Sequence, residues 1–274
     1  MDRAAGRRPL SGPPTTIPRV DVLGVGISAL DMRQAVAEIT RWVDDVEQQY
    51  VCVTGVHGVM EARRDPELRR IHNASGLTTP DGMPMVWAGR WAGVAHMQRV
   101  YGPDLMLAVC RLAAERGWTS FFYGGRPGVA ELLAERLAAW FPDLRIAGTL
   151  SPPFRTLTPD EDRAIVERIN RSAPDLLWVG LSTPKQERWM ASHVGRVDAR
   201  ALLGVGAAFD IHAGLLPQAP PWVQRSGLEW LYRLGREPRR LWRRYLRNNP
   251  RFVVEILRHP PVLRTAEDVT ALPS

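Results

Sequence analysis

The sequence predicts an α/β protein: a Rossmann-like, mostly parallel sheet with helices on both faces, followed by a helical, basic C-terminal appendage. Short apolar segments alternate with amphipathic segments of roughly 10 to 18 residues, which is typical of strands joined by helices. The apolar segments carry hydrophobic residues at consecutive positions, as strands do when helices cover both faces of a sheet. Beyond residue 217 the composition changes to tryptophan, leucine and arginine, which indicates a separate segment.

The composition is that of a globular protein. Hydrophobic residues make up 45% and charged residues 24% of the 274 residues, so the chain can bury a sizeable core. The two cysteines, Cys52 and Cys110, form no disulfide framework and no zinc-binding spacing, which favours a reducing cytoplasm. Residues 1–18 are rich in Pro, Gly and Arg, and we expect a disordered tail that is neither a signal peptide nor an anchor. No apolar run approaches the ~18 residues that span a bilayer, so any membrane contact is expected to be peripheral.

The strands follow from apolar segments bounded by turn residues. They are predicted over 19–27, 50–54, 119–123, 144–150, 176–181 and 201–209. Helices are predicted from apolar residues at helical spacing, over 31–46, 56–73, 102–116, 129–140, 159–172 and 186–193, with a short helix or strand over 83–91. Ser28 or Asp31 caps the first helix, and Thr158 with Pro159 begins the helix over 159–172.

The positive charge is concentrated near the C-terminus. Residues 225–258 contain ten arginines and three acids, a net +7 that equals the charge of the whole chain. The prolines at 217–221 mark the predicted boundary, which divides the chain into a core over 19–217, an appendage over 218–258 and a tail over 259–274. Pro238 and Pro250 are expected to divide the appendage into short helices. Tryptophans and leucines alternate with the arginines, which suits a helix at a membrane surface; the alternative is an ordinary helix with a solvated basic side.

A carboxylate on a turn, Asp81, is the first candidate for catalysis. Pro80 precedes it and Gly82 follows it, so regular structure stops there and the side chain is presented at a fixed angle. The alternative interpretation is an Asx-type turn in which Asp81 caps the segment over 83–91.

Three loops after predicted strands carry further candidates, because ligands bind at the carboxyl ends of such strands. Gly124 and Gly125 let backbone N–H groups approach a phosphate, or simply form a tight strand–helix turn. Pro184, Lys185 and Gln186 begin a helix, where a cation and an amide suit a diphosphate or a sugar hydroxyl; plain helix capping is the alternative. The third loop is glycine-rich and ends at Asp210, which is suited to a ribose or base unless the loop serves only close packing.

Six motifs in order resemble the WecG/TagA/CpsF glycosyltransferases, from about residue 20 to about residue 255. They are 79–84 (TPDGMP), 99–105 (RVYGPDL), 123–128 (YGGRPG), 184–187 (PKQE), 204–210 (GVGAAFD) and 227–233 (GLEWLYR). The resemblance implies inverting transfer of a sugar, an N-acetylhexosamine or a hexose, from a UDP-sugar to a polyprenyl-diphosphate-linked sugar. It implies a place at the inner face of the cell membrane and products such as teichoic acid linkage units, enterobacterial common antigen, capsule or exopolysaccharide.

The resemblance also implies roles for individual residues. Asp81 matches the general base, Arg99 a basic residue that meets phosphate, Gln186 an active-site amide, and Thr54 the threonine of a Thr-x-Asn element. Val56 stands at the asparagine position of that element, so an amide is missing there, and His57 or a neighbour is the candidate replacement. The remaining expected substrate-binding residues are Gly124, Gly125, Pro184, Lys185, Glu187, Asp210, Arg233 and Arg236.

This assignment agrees with the chemistry that inverting transfer needs, namely one base and a stabiliser for the departing nucleotide diphosphate. No loop at the end of a predicted strand resembles an Asp-x-Asp metal site, so we expect a metal-independent enzyme without cofactors, in which cations replace the metal. The expected partners are the UDP-sugar, the lipid-linked acceptor and an anionic membrane surface, with a homo-oligomer left open and no nucleic acid. Two alternatives remain: a nucleotide-binding oxidoreductase, and an Arg-rich nucleic-acid-binding protein.

Overall fold

A computed structural model describes residues 17–265 and residue 268 of the chain. The predicted N-terminal tail lies outside the described residues except for Ile17 and Pro18, as do residues 266–267 and 269–274 of the predicted C-terminal tail.

The strands form two sheets. In chain order they are β1 (Arg19–Val22), β2 (Val25–Ser28), β3 (Gln49–Thr54), β4 (Leu77–Pro80), β5 (Thr119–Gly124), β6 (Arg145–Leu150), β7 (Leu176–Gly180), β8 (Ala201–Gly204) and β9 (Val262–Arg264). The central sheet has six parallel strands in the order β4-β3-β8-β7-β5-β6, and a small antiparallel sheet has the order β2-β1-β9. The predicted α/β class with a parallel sheet is therefore confirmed.

The helices surround the central sheet and continue into the C-terminal region. They are α1 (Met32–Asp44), α2 (Val56–Arg64), α3 (Pro66–Ala74), α4 (Met83–Trp91), α5 (Gly102–Arg116), α6 (Val129–Trp140), α7 (Pro159–Ser172), α8 (Lys185–His193), α9 (Ala208–His212), α10 (Pro221–Arg225), α11 (Glu229–Arg236) and α12 (Pro238–Arg258). Asp31 caps α1 and Thr158 caps α7, each in a capping box, as two of the predicted caps require.

Both faces of the central sheet are buried. Phe122 and Trp178 point into one apolar core with α1, α5, α6 and α9. Phe121 and Leu177, their neighbours along the same strands, point into the opposite core with α7 and α8. Consecutive strand residues are apolar because each face is covered by helices, which is the pattern that predicted the fold.

Three predicted elements differ from the structure, and one observed strand was not predicted. The predicted strand over 19–27 is a hairpin, because Leu23 and Gly24 both take positive φ (56° and 90°) and reverse the chain. The predicted helix over 56–73 is two helices, since Asp65 ends α2 and caps α3, with Pro66 in its first turn. The predicted strand over 201–209 ends at Gly204 and is followed by α9, and β4 was not predicted.

The C-terminal helices return to the body of the protein. α12 packs on α2, where Arg63 pairs with Glu255 (2.8 Å) and Phe252 is buried. The helix continues through Pro250, so the expectation that Pro250 divides this segment is wrong. Contacts with α2 on both sides of Pro250 compensate for the hydrogen bond that proline cannot make. Within the residues that the structure describes, no helix is long and apolar enough to span a membrane.

Candidate functional site

A cleft of about 710 Å³ opens at the carboxyl ends of the parallel strands. Its floor is formed by residues that end or closely follow strands: Gly55, Asp81, Gly125, Gly180 and Gly204. Helices α4, α11 and α12 contribute the walls. The cleft thus joins the core of the sheet to the basic C-terminal segment.

Asp81 lies where β3 and β4 end side by side. Thr54 and Pro80 are paired in the sheet, and the N–H of Asp81 donates to the carbonyl oxygen of Thr54 at 2.9 Å. A Cβ on Gly55 would lie 2.7 Å from the carbonyl oxygen of Asp81, so only glycine fits there. Gly82, with φ of 93°, begins α4, and that helix has no side-chain cap. The interpretation of Asp81 as the cap of this helix is therefore wrong.

The electrostatic surroundings of Asp81 are unusual for a carboxylate. Burial raises its pKa from 3.8 to about 6; Arg99 acts in the opposite direction, Glu229 adds to the rise, and Arg233 and Arg244 lower the pKa. No hydrogen bond to the carboxylate from any described residue stabilises its charge. A carboxylate with a pKa just below neutral pH is mostly ionised at neutral pH and is basic enough to accept a proton.

Arg99 is already paired. Its guanidinium donates to Glu229 at 2.5 Å and to Gln224 at 2.6 Å, and it stacks 3.9 Å above the centre of the Tyr101 ring. The Arg99 and Glu229 side chains are only 12% and 15% exposed. Arg99 therefore joins α10 and α11 to the core beside Asp81.

Two other arginines, Arg233 of α11 and Arg244 of α12, line the cleft. The Nε atom of each is buried without a hydrogen-bond partner among the described residues. Burial lowers the pKa of Arg244 to about 10, which leaves it positively charged at neutral pH. Arg236 is exposed, with its guanidinium 5.5 Å from the Tyr232 ring centre, and does not line the cleft.

The glycines after β5 form a tight turn between two strands. Gly124 has φ of 136°, and a Cβ on it would lie 2.6 Å from the backbone of Gly180. The N–H of Gly125 donates to the carbonyl oxygen of Gly180 at 3.0 Å. Gly124 lies behind the cleft, whereas Gly125 forms part of its surface.

The loop after β7 divides its residues between the cleft and the core. Gln186 lines the cleft although it is 3% exposed, and its side-chain oxygen accepts from the N–H of Gly206 at 2.9 Å. Glu187 is buried and accepts from the hydroxyl of Thr183 at 2.8 Å. Lys185 is exposed, 4.9 Å from the ring centre of Phe154. Lys185, Glu187 and Pro184 lie outside the cleft lining.

Of two further predicted site residues, Asp210 lines the cleft and Thr54 lies behind it. Asp210 lines the cleft and pairs loosely with Arg126 at 3.5 Å. Thr54 is buried, and its hydroxyl donates to the carbonyl oxygen of Cys52 at 3.3 Å. Thr54 therefore supports the turn of Asp81 from behind rather than lining the cleft.

Sequence reasoning missed the cleft residues contributed by distant helices. Glu229, Asn248 and Asn249 line the cleft, as does His57, which the sequence marked only as a candidate replacement for an amide. Glu229 falls within the 227–233 motif, which is the one signal that pointed to it. No sequence signal links Asn248 to His57, although their side chains meet at 3.1 Å. Over the part of the chain that is described, no group of three or more His, Cys, Asp or Glu residues is arranged to hold a metal ion.

Known proteins resemble this chain over most of its length. Residues 20–265 match the Glycosyl transferase WecG/TagA/CpsF family. A protein of Bacillus spizizenii (strain ATCC 23059 / NRRL B-14472 / W23), named N-acetylglucosaminyldiphosphoundecaprenol N-acetyl-beta-D-mannosaminyltransferase, is 28% identical over 220 residues, which cover 80% of this chain and 83% of the relative. A protein of the same name from Bacillus subtilis (strain 168) is 26% identical over 231 residues, covering 81% and 87%.

These matches decide among the function classes that the sequence left open. The family match includes every strand and helix that forms the cleft, from β3 to α12. The six motifs lie within the matched residues, and four of them supply the cleft residues Asp81, Gly125, Gln186 and Asp210. The chain belongs to the WecG/TagA/CpsF family and is a glycosyltransferase.

Proposed function

We propose that this protein transfers a sugar from a UDP-sugar to a polyprenyl-diphosphate-linked sugar, with inversion at the anomeric carbon. The names of the two Bacillus relatives, which describe transfer of N-acetylmannosamine to N-acetylglucosaminyldiphosphoundecaprenol, support this acceptor class. The donor sugar is an N-acetylhexosamine or a hexose. The products would enter the synthesis of a cell-surface polysaccharide.

One observation carries the proposal: Asp81, a carboxylate with a pKa of about 6, lines the cleft between the sheet and the basic helices. In the proposed reaction Asp81 accepts the proton of the acceptor hydroxyl while the hydroxyl oxygen attacks the anomeric carbon of the donor. The bond between that carbon and the diphosphate oxygen breaks, and UDP leaves with the electron pair. Positioned proton acceptors of this kind typically contribute about 10²- to 10⁴-fold to the rate.

We further propose that side-chain cations stabilise the departing diphosphate in place of a metal ion. Arg233 and Arg244 are the best placed, because both line the cleft and their charges act on Asp81. Arg99 would act less directly, since Glu229 already binds it. Lys185 and Arg236 would have to approach from outside the cleft, through ligand-induced movement of exposed side chains.

The donor would lie over the loops after β5, β7 and β8. Gly125, Gln186 and Asp210 line this side of the cleft, and Asp210 is suited to accept from a ribose hydroxyl or a base. Gly124, Thr54, Pro184 and Glu187 are proposed to shape the site from behind. The amide of Gln186 holds Gly206 in the neighbouring loop, which makes it a link between two donor-binding loops.

We propose that the C-terminal helices bind the anionic lipid surface at the inner face of the cell membrane. Trp222, Trp242 and Leu246 are 70%, 45% and 65% exposed, and exposed arginines lie between them. Such a surface suits an interfacial helix, with aromatic rings at the depth of the lipid headgroups. The acceptor lipid would reach the cleft from this side, since α11 and α12 form its wall.

The proposal is tested by incubating the full chain with candidate UDP-sugars and a synthetic polyprenyl-diphosphate-linked N-acetylglucosamine. We expect UDP release and a product extended by one sugar, with activity that persists in EDTA. Activity that is lost in EDTA and restored by Mg²⁺ or Mn²⁺ would contradict the metal-free reaction. Absence of transfer with every UDP-sugar, in the presence of anionic vesicles, would contradict the proposed function itself.

A further inference from the structure

A chain of hydrogen bonds fixes the chemical state of His57, which lines the cleft. Arg64 donates to the side-chain oxygen of Asn248 at 2.6 Å, and the side-chain nitrogen of Asn248 lies 3.1 Å from Nδ1 of His57. Arg64 and His57 belong to α2, whereas Asn248 comes from α12 and is 2% exposed. The three side chains therefore join the core to the C-terminal helix at the edge of the cleft.

Only one orientation of the Asn248 amide satisfies both hydrogen bonds. Arginine only donates hydrogen bonds, so the carbonyl oxygen of the Asn248 amide must face Arg64. The NH₂ group of Asn248 then faces His57 and donates to Nδ1, which must be unprotonated. A neutral imidazole carries its proton on the other nitrogen. The hydrogen-bond network thus makes the Nε2–H of His57 a donor.

The charges around His57 keep the imidazole neutral. Burial lowers its pKa to about 3, and the positive charges of Arg244 and Arg64 act in the same direction. Glu61 is the acidic neighbour on the same helix, but its carboxylate lies 3.7 Å from Nδ1, beyond hydrogen-bond distance. His57 is therefore a fixed hydrogen-bond donor at neutral pH and not a base.

His57 lines the same cleft as Asp81. The His57 side chain is 20% exposed, and no described residue accepts a hydrogen bond from Nε2. His57 follows β3 and Asp81 follows β4, and these strands are neighbours at one end of the sheet. The loops proposed for the nucleotide follow β5, β7 and β8 instead.

We propose that the Nε2–H of His57 donates a hydrogen bond to an oxygen of the acceptor sugar. This inference rests on the proposed function, in which Asp81 takes a proton from the same sugar. Arg64 and Asn248 act as positioning residues, because they set the tautomer and orientation of the imidazole. The neighbouring residue, Val56, also lines the cleft, but its side chain cannot donate a hydrogen bond. His57 is therefore the side-chain donor where α2 begins after β3.

The test compares His57→Leu with His57→Gln in steady-state kinetics. Glutamine keeps an N–H donor near the position of Nε2, whereas leucine keeps volume without a donor. We expect His57→Leu to raise the KM for the lipid-linked acceptor about 10-fold, as loss of one hydrogen bond does. The KM for the UDP-sugar should stay unchanged, and His57→Gln should stay within about threefold of wild type.

A second measurement reads the tautomer directly. In full-length protein labelled with ¹⁵N-histidine, we expect the His57 signals of an Nε2–H tautomer between pH 6 and 8, assigned by their loss in His57→Gln. Asn248→Leu should let both neutral tautomers of His57 form and should raise the KM for the acceptor. The double variant with His57→Leu should have nearly the same acceptor KM as His57→Leu alone. Melting temperatures of all variants separate this effect from loss of folding.

The outcomes distinguish the two proposals. Absence of turnover by the wild type would refute the proposed function and this inference together. Wild-type turnover with an unchanged acceptor KM in His57→Leu would refute the inference alone, and would reduce His57 to a structural link between α2 and α12. An Nδ1–H tautomer in the wild type would also refute it.

Discussion

Replacing Asp81 by asparagine should inactivate the enzyme and stabilise its fold at the same time. The substitution keeps the shape of the side chain and removes its charge and its ability to accept a proton. We expect kcat to fall by about 10²- to 10⁴-fold, with binding of UDP little changed. If Asp81 served only a turn, the asparagine variant would lose stability without this loss of turnover.

The stability effect follows from the sign of the pKa change. The folded protein raises the pKa of Asp81 from 3.8 to about 6, so it disfavours the charged carboxylate. The resulting cost is absent below pH 3.8, grows as the pH rises to 6, and is complete above pH 6. The full difference corresponds to about 3 kcal/mol, and partial contact with solvent in the cleft reduces it to about 1–2 kcal/mol.

Thermal and urea unfolding of both proteins at several pH values measure this difference. At pH 8 we expect Asp81→Asn to melt a few degrees above the wild type, since about 2–4 °C accompany each kcal/mol in a protein of this size. The advantage should shrink as the pH falls below 6. An asparagine variant that is less stable than the wild type at pH 8, or that turns over nearly as fast, would refute the role of Asp81 as a buried base.

Three more predictions follow from the same region. Glu229→Gln should lower the pKa of Asp81, because Glu229 raises it, and should move the acidic limb of the pH–rate profile to lower pH; an unmoved limb would contradict this. Gly55→Ala should cost about 1–3 kcal/mol of stability and most activity, because its Cβ meets a backbone oxygen at 2.7 Å, whereas Gly235→Ala, with open space around it, should cost neither. Leu246→Asp should weaken binding to anionic vesicles, and salt should release the wild type, whereas Val46→Asp, an exposed position between α1 and β3 at the amino ends of the strands, should bind as the wild type does. Equal vesicle binding by both aspartate variants would exclude α12 as the membrane surface.

The sequence predicted best where local rules decide the structure. α5 and α6 begin and end at the predicted residues, because Pro103 lies in the first turn of α5 and Gly117 ends it with positive φ. It failed where a backbone turn or packing overrides the pattern. The hairpin at Leu23 depends on a left-handed residue that is not glycine, and α12 survives Pro250 through contacts with α2.

For the site, sequence patterns were enough to predict the residue types at the strand ends. Asp81, Gly125, Gln186 and Asp210 lie in loops that follow strands, and parallel strands bring such loops to one edge of the sheet. The motifs and their order also determined the family. The prediction of the site residues needs only the direction of each strand and the chemistry of the residues that follow it.

Which charged side chains contact one another depends on the packing of the whole chain. The pairing of Arg99 with Glu229 and the contact of Asn248 with His57 join residues 130 and 191 positions apart. The pKa of Asp81 depends on burial by α4, α11 and α12, which no local pattern measures. Burial and charge interactions depend on distances in space, and these distances are set only when α11 and α12 pack against the body of the protein beside the ends of β3 and β4.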